Sequence, residues 1–130
     1  MTADDFLKVC LSLIGHTKES NPIASDYFLG MLNVCLAECA NIERTYCMMN
    51  AIDTAKSFST VSDLSGEIPF SDYILLNVVS KGVAARLAGE EDNQMLADYY
   101  GTIYEQARVR ALGVMYADTE NIAEGGEVIG

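Results

Sequence analysis

The residues best equipped for chemistry are four cysteines, Cys10, Cys35, Cys39 and Cys47, and a single histidine, His16. Cys35 and Cys39 are spaced i, i+4, so a helix places them on one face. Two thiols on one face are half a metal site. Zinc takes about four ligands, usually from Cys-x2-Cys knuckles, and this chain has none. The spacing therefore predicts no metal and four reduced, buried thiols. A cysteine nucleophile would have to use His16 as its base, which keeps a small cysteine enzyme open as an alternative. In sequence His16 follows Leu13 and Ile14 in a loop with no evident orienting partner. The acidic pairs Asp4/Asp5 and Glu90/Glu91 fall where helices start, and the positive helix end accounts for them without acid–base work. Tyr99, Tyr100 and Tyr104 are in phase on one helix, which favours packing or subunit contact over stacking on bases. No nucleophile elbow, phosphate loop, dinucleotide fingerprint or zinc-protease motif occurs. The residues thus predict a protein that is not an enzyme and holds no cofactor.

Composition narrows the partners. The chain has 130 residues and a net charge of -11, from 8 basic and 19 acidic side chains. Its pI is near 4.2. A protein that grips phosphates needs a surplus of Lys and Arg, and so does one held on anionic lipid, so neither is expected. Half of the residues are hydrophobic, and a domain of this size buries roughly two-thirds of the surface its unfolded chain exposes. One ordinary core follows. No run of about 18 apolar residues suggests a membrane span. The acidic start, Met1-Thr2-Ala3-Asp4-Asp5, is unlike a secretory signal, so the chain is expected in the cytosol where it is made.

The elements that position these residues are read from periodicity. Thr2 as N-cap, Asp4 and Asp5 in the first turn, and Phe6, Val9, Cys10, Leu13 and Ile14 at helical spacing predict a helix over 3–14, stopped by Gly15. Phe28, Met31, Cys35, Cys39, Ile42 and Tyr46 step by three and four, predicting one long helix over 25–50 with Ser25 as its N-cap. Asn33, Glu38 and Arg44 are assigned to its solvated face. Residues 51–69 lose the period. Ser57 to Ser62 alternate weakly, Asp63 to Gly66 is a turn signal, and Ile68-Pro69 is extended, so a short strand or hairpin is expected there. Ser71 predicts the N-cap of a third helix, thinned by Gly82, Ala84, Ala85 and Ala88 and ended by Gly89. Glu90, Glu91 and Asp92 are read as the start of a fourth, over 93–112, with Arg108 and Arg110 in its last turns. The fold class is all-α: a four-helix bundle over 1–112, with an extended excursion at 51–69 and an extended C-terminal arm at 113–130.

The order of segments is informative. Leu13-Ile14-Gly15 closes a short helix, and a long amphipathic helix follows. Leu64-Ser65-Gly66-Glu67-Ile68-Pro69-Phe70 leads to a helix carrying Gly82-Val83-Ala84-Ala85-Arg86-Leu87-Ala88. After Glu90-Glu91-Asp92 comes a helix with Tyr99, Tyr100, Tyr104 and Arg108. Over most of residues 3–112 this succession resembles the head-to-tail adaptor, or neck, proteins of tailed bacteriophages. The resemblance implies a structural virion protein, made in the host cytoplasm. It implies a homo-oligomeric ring, commonly dodecameric, below the portal protein after packaging. Such a ring extends the DNA channel, passes DNA without specific binding, and offers a platform to a tail or stopper protein. Carried over, residues 113–130 become an arm that binds the portal, with Met115, Tyr116, Ile122, Val128 and Ile129 as anchors and Arg108 and Arg110 at its root.

A second alternative is an acidic DNA mimic that inhibits a host nucleic-acid-binding protein. Such a mimic needs carboxylates in a stripe at phosphate-like spacing, whereas these acids scatter over helix starts and the tail.

Overall fold

A computed structural model describes residues 1–52 and 59–123, with side chains as far as Ala111. The chain is mostly helical and all-α. The helices are α1 (Ala3–Leu13), α2 (Ala24–Glu38), α3 (Ala40–Met49), α4 (Asp72–Ile74), α5 (Ser80–Glu90) and α6 (Gln94–Ala123), with a π-helical stretch, Leu75–Val79, joining α4 to α5.

α1 forms as its sequence dictates. Thr2 accepts a hydrogen bond from the Asp5 N–H at 3.2 Å, and Asp4 and Asp5 occupy the first turn. Gly15 takes φ +78° just past the end, where the His16 N–H reaches back to the Leu11 carbonyl at 2.9 Å. α3 and α5 end in the same way without glycine. Ala51 and Asp92 take the left-handed conformation, and Ile52 and Asn93 donate back to Cys47 and Ala88, each at 2.9 Å. That pattern satisfies carbonyls a helix end would otherwise orphan.

Several expectations need correction. The single helix over 25–50 is two helices, broken at Cys39, whose backbone (φ -103°, ψ 6°) leaves the helical region. The hydrophobic stripe continues across the break because Cys39 and Ile42 stay buried on the same side. Ser25 lies inside α2 and donates to the Pro22 carbonyl, while Ile23 takes the cap position with no side-chain cap. Ser71 does occupy a cap position, but its hydroxyl donates to Glu43 instead of capping. Gly89 does not stop its helix. Glu90 is the last residue of α5, so the acidic triplet belongs to a helix end, and Asn93 caps α6 by accepting from the Leu96 N–H at 3.2 Å. Among the described residues the excursion contains one isolated antiparallel bridge, Thr2 to Glu67, and no strand. Ser57 and Phe58 lie outside the described residues. α6 does not end at residue 112. Its backbone stays helical to Ala123, so Arg108 and Arg110 sit mid-helix and 113–123 is not extended. Gly113 has no left-handed neighbour or proline to stop the run, and glycine inside a helix costs only about 1 kcal/mol.

The core has α5 at its centre, packed on α1, α2 and α6. Phe6, Leu7, Leu11, Phe28, Leu32, Leu36, Val79, Val83 and Leu87 are fully buried. α5 is thin enough for close approach at one point above all. A methyl group on Gly82 would lie 2.7 Å from the Tyr104 ring of α6. The π stretch is fed by side chains: Asn77 donates to the Tyr73 carbonyl and Ser80 to the Leu76 carbonyl, each at 2.8 Å. Residues 61–68 lie along the start of α1. Ala3 and Asp4 donate to the Gly66 and Leu64 carbonyls, each at 2.9 Å.

Candidate functional site

The reactive side chains gather at the α2–α3 break, where α2, α5 and α6 meet. The Tyr104 hydroxyl donates to Glu38 Oε1 at 2.8 Å and lies 3.4 Å from Cys39 Sγ. Arg86 of α5 reaches Cys35 Sγ at 3.1 Å and Glu38 at 3.2 Å. The Arg108 guanidinium stacks over the Tyr104 ring at 5.3 Å and pairs with Glu105 at 3.1 Å. Two arginines, two carboxylates, one phenol and two thiols thus form a connected knot.

Its electrostatics favour neutral thiols. Burial pushes Cys35 up to about 12, and the nearby Arg86 charge offsets only part of that. Burial also raises Cys39, with the Tyr104 hydroxyl acting against it. Tyr104 itself is raised, first by burial and then by the neighbouring thiols. Cys10, in the core, is raised well above the ordinary thiol range by burial. A protonated thiol is a poor nucleophile and a poor metal ligand. Among the described residues no group of three or more His, Cys, Asp or Glu side chains is arranged to hold a metal ion.

His16 is engaged elsewhere. Its Nε2 pairs with Glu91 at 2.7 Å and its Nδ1 lies 3.3 Å from Ser20 Oγ. Asn21 also donates to Glu91. These bonds tie the α1–α2 loop to the α5–α6 corner, and no hydrogen bond joins His16 to a cysteine among the described residues. The orienting partner missing from the local sequence is Glu91, 75 positions away in the chain but adjacent in the fold. Asp4 and Asp5 remain in the first turn of α1, where Lys18 pairs with Asp4.

A second buried junction escaped the periodicity. Glu43 of α3 accepts from the Ser71 N–H at 2.7 Å, from the Ser71 hydroxyl, and from Cys47 Sγ at 3.3 Å. Its other oxygen, Oε2, is buried with no partner among the described residues. Asn33, assigned to the solvated face, clasps Val61 instead: its amide donates to the Val61 carbonyl at 2.9 Å and accepts from the Val61 N–H at 2.8 Å. Of the three assigned to that face, Arg44 and Glu38 are exposed, although Glu38 also belongs to the knot, and Asn33 is half-buried.

The residues expected to bind partners are dispersed. Arg108 is half-buried in the knot, and its Nε is buried with no partner among the described residues. Arg110 is exposed and lines a groove of about 340 Å³ with Tyr73, Asn77 and Ala107. Met115, Tyr116 and Ile122 lie on the α6 backbone, with side chains beyond those described. Val128 and Ile129 lie outside the described residues. Large apolar side chains are exposed nearby, among them Met48, Tyr73 and Val109, and at the other end of α6 Met95 and Tyr99. Among the described residues no helix is long and apolar enough to cross a membrane. No protein-family model matches the chain, and no curated protein or solved structure matches it either.

Proposed function

We propose that this chain is the subunit of a head-to-tail adaptor ring of a tailed bacteriophage. The ring sits below the portal protein, extends the DNA channel and receives a tail or stopper protein. Its subunit is assembled in the host cytoplasm and kept in the virion neck. In this reading the frame is a four-helix bundle, with α1, α2 continued by α3, α4 continued by α5, and α6 as its rods.

One observation carries the reading. The segments on which the resemblance rests are those that build the frame, and they meet one another. Gly82, from the Gly82–Ala88 run, receives the ring of Tyr104, from the Tyr-rich last helix. Leu64 and Gly66, from the turn before Ile68-Pro69, accept from the start of α1. The reactive groups are engaged in packing, which suits a structural part rather than a catalyst. A charge of -11 per copy, repeated around a channel, repels DNA and lets it slide. The long α6 suits a latch, because a 30-residue helix is about 45 Å long. Residues 113–130 are then the portal-binding part, and Arg110 is the exposed cation at its root.

The test is reconstitution. The full chain, added to DNA-filled heads that lack a neck, is expected to form a ring at the portal vertex and to stop genome leakage. The chain truncated after Leu112 is expected to keep its helical fold and lose recruitment. Absence of the full chain from the portal vertex would overturn the proposal.

A further inference from the structure

We infer that copies of this chain join head to tail through two sites along α6, one at its start and one around Val109 and Arg110, an inference that rests on the ring reading above. Six of the large exposed apolar side chains form two sets, with Val34, Met49, Ile52 and Leu76 outside them. At one end Met48 and Val109 are each 69% exposed, and Tyr73 is 57% exposed. Tyr73 stacks on Tyr46 of α3, with ring centres 5.2 Å apart, and shares its groove with Arg110. At the other end Met95 is 77% exposed, Ile23 62% and Tyr99 57%. Tyr99 meets Tyr100 edge-on, and the Tyr100 hydroxyl donates to the Leu13 carbonyl at the end of α1. The loop that carries Ile23 is fastened to the same corner through Glu91.

Unpaired charge divides along the same line, since the exposed carboxylates near the arginines, Asp72 and Glu105, are paired with the N-terminus and Arg108. Arg44, one turn before Met48, and Arg110 are exposed and have no carboxylate partner among the described residues. Around the other end Asp26, Glu90, Asp92 and Asp98 are exposed and have no cationic partner among the described residues. Met95 and Val109 are separated by about 21 Å along one rigid helix. Pairing like ends would set arginines against arginines, or carboxylates against carboxylates. Pairing unlike ends buries both apolar sets and matches opposite charges. A contact between two different faces is heterologous, and repeating it closes a ring when the rotation between copies permits. The occupant of each end is therefore the opposite end of a second copy.

Cross-linking tests this directly. The full chain carrying both Met95→Cys and Val109→Cys is treated at high protein concentration with a short bis-maleimide. The two sites are too far apart on one helix to be bridged within a copy. The four native thiols are buried and react slowly in their protonated form. The expected result is a ladder of dimers, trimers and larger species, with each single-cysteine variant at least tenfold less cross-linked. Adding Arg110→Glu is expected to remove the ladder, and adding Asp98→Arg to that chain to restore it. Dimers from either single variant as abundant as the ladder, or no species above monomer, would overturn the inference. So would a ladder indifferent to both charge changes. The outcome is separable from that of the ring reading. A chain that occupies the portal vertex but gives no ladder keeps the ring and loses these faces. A chain that gives a ladder but ignores the portal keeps the faces and loses the adaptor.

Discussion

Two glutamates flank the break at Cys39, and they are held in opposite ways. Glu38 is met by Arg86 and Tyr104, so its charge has a counter-ion and more than one donor. It is also about a third exposed, so solvent supports it. Glu43 has no cationic partner among the described residues. Among the described residues one oxygen takes all three of its donors, two of them from Ser71, and the other has none. The first junction is redundant, and loss of one tie leaves the rest. The second hangs the start of α4 on a single atom. Redundancy protects the knot against substitution, but the knot concentrates protonated acids, which exposes it to alkali.

The largest expected effect follows from those acids. In an unfolded chain the Cys35 thiol ionises near pH 9, while in the fold it is held up to about 12. The folded state therefore keeps a proton that the unfolded state has lost. The contribution of this thiol to stability is flat below pH 9 and falls as pH rises from there, by about 1.4 kcal/mol per unit. Cys10, Cys39 and Tyr104 shift in the same direction. Domains of this kind hold about 5–15 kcal/mol in total. Cooperative loss of helical circular dichroism is expected between about pH 9 and pH 11. Cys35→Ala is expected to flatten the slope. Stability unchanged from pH 8 to pH 10.5 would show that the thiols are not held protonated.

Much of this arrangement can be read from the sequence where a local rule applies. The cap at Thr2, the stop at Gly15 and the thin face of α5 each depend on residues within a turn of one another. The α3 end at residue 50 was legible from the loss of period after it, although Ala51 gives no signal of the left-handed conformation it adopts. The break at Cys39 was hidden for a related reason: the apolar stripe stays in phase across it. Asn33, classed as solvated by phase alone, is claimed by Val61, and Glu38, though exposed as its phase requires, is bonded by Arg86 and Tyr104, all distant in sequence. Glu43 carried no signal, since its donor, Ser71, is 28 positions away. Cys35 and Cys39 were legible as buried thiols on one face, but their arginine and tyrosine neighbours were not.

Substitution sharpens the contrast between the junctions. Glu43→Ala strands the Ser71 N–H and hydroxyl at the start of α4, and is expected to cost about 2–3 kcal/mol in denaturant unfolding. Glu38→Ala is expected to cost nearer 1 kcal/mol, because Arg86 is partly exposed and turns to water. Equal losses would erase the distinction. Gly82→Ala pushes a methyl group against the Tyr104 ring. Overpacking of this kind costs about 1–3 kcal/mol, offset in part by the better helix propensity of alanine. A net loss of about 1–2 kcal/mol is expected, and it should vanish in a Tyr104→Ala background. A loss that persists there would mean that the ring is not what Gly82 accommodates.

The smallest effect tests redundancy itself. Tyr104→Phe keeps the buried ring, its fit over Gly82 and its stacking beneath Arg108. It removes only the hydroxyl, which is bonded to Glu38 and lies near Cys39. Glu38 retains Arg86, so no buried charge is stranded. The expected loss is about 1 kcal/mol, the net worth of one ordinary hydrogen bond. A double-mutant cycle with Glu38→Gln isolates the pair. If the knot is redundant, the coupling stays below about 1 kcal/mol, since Arg86 holds the carboxylate with or without the phenol. Coupling of 2–3 kcal/mol would mean that the phenol alone positions Glu38. The knot would then hang on one bond, as the Glu43 junction does.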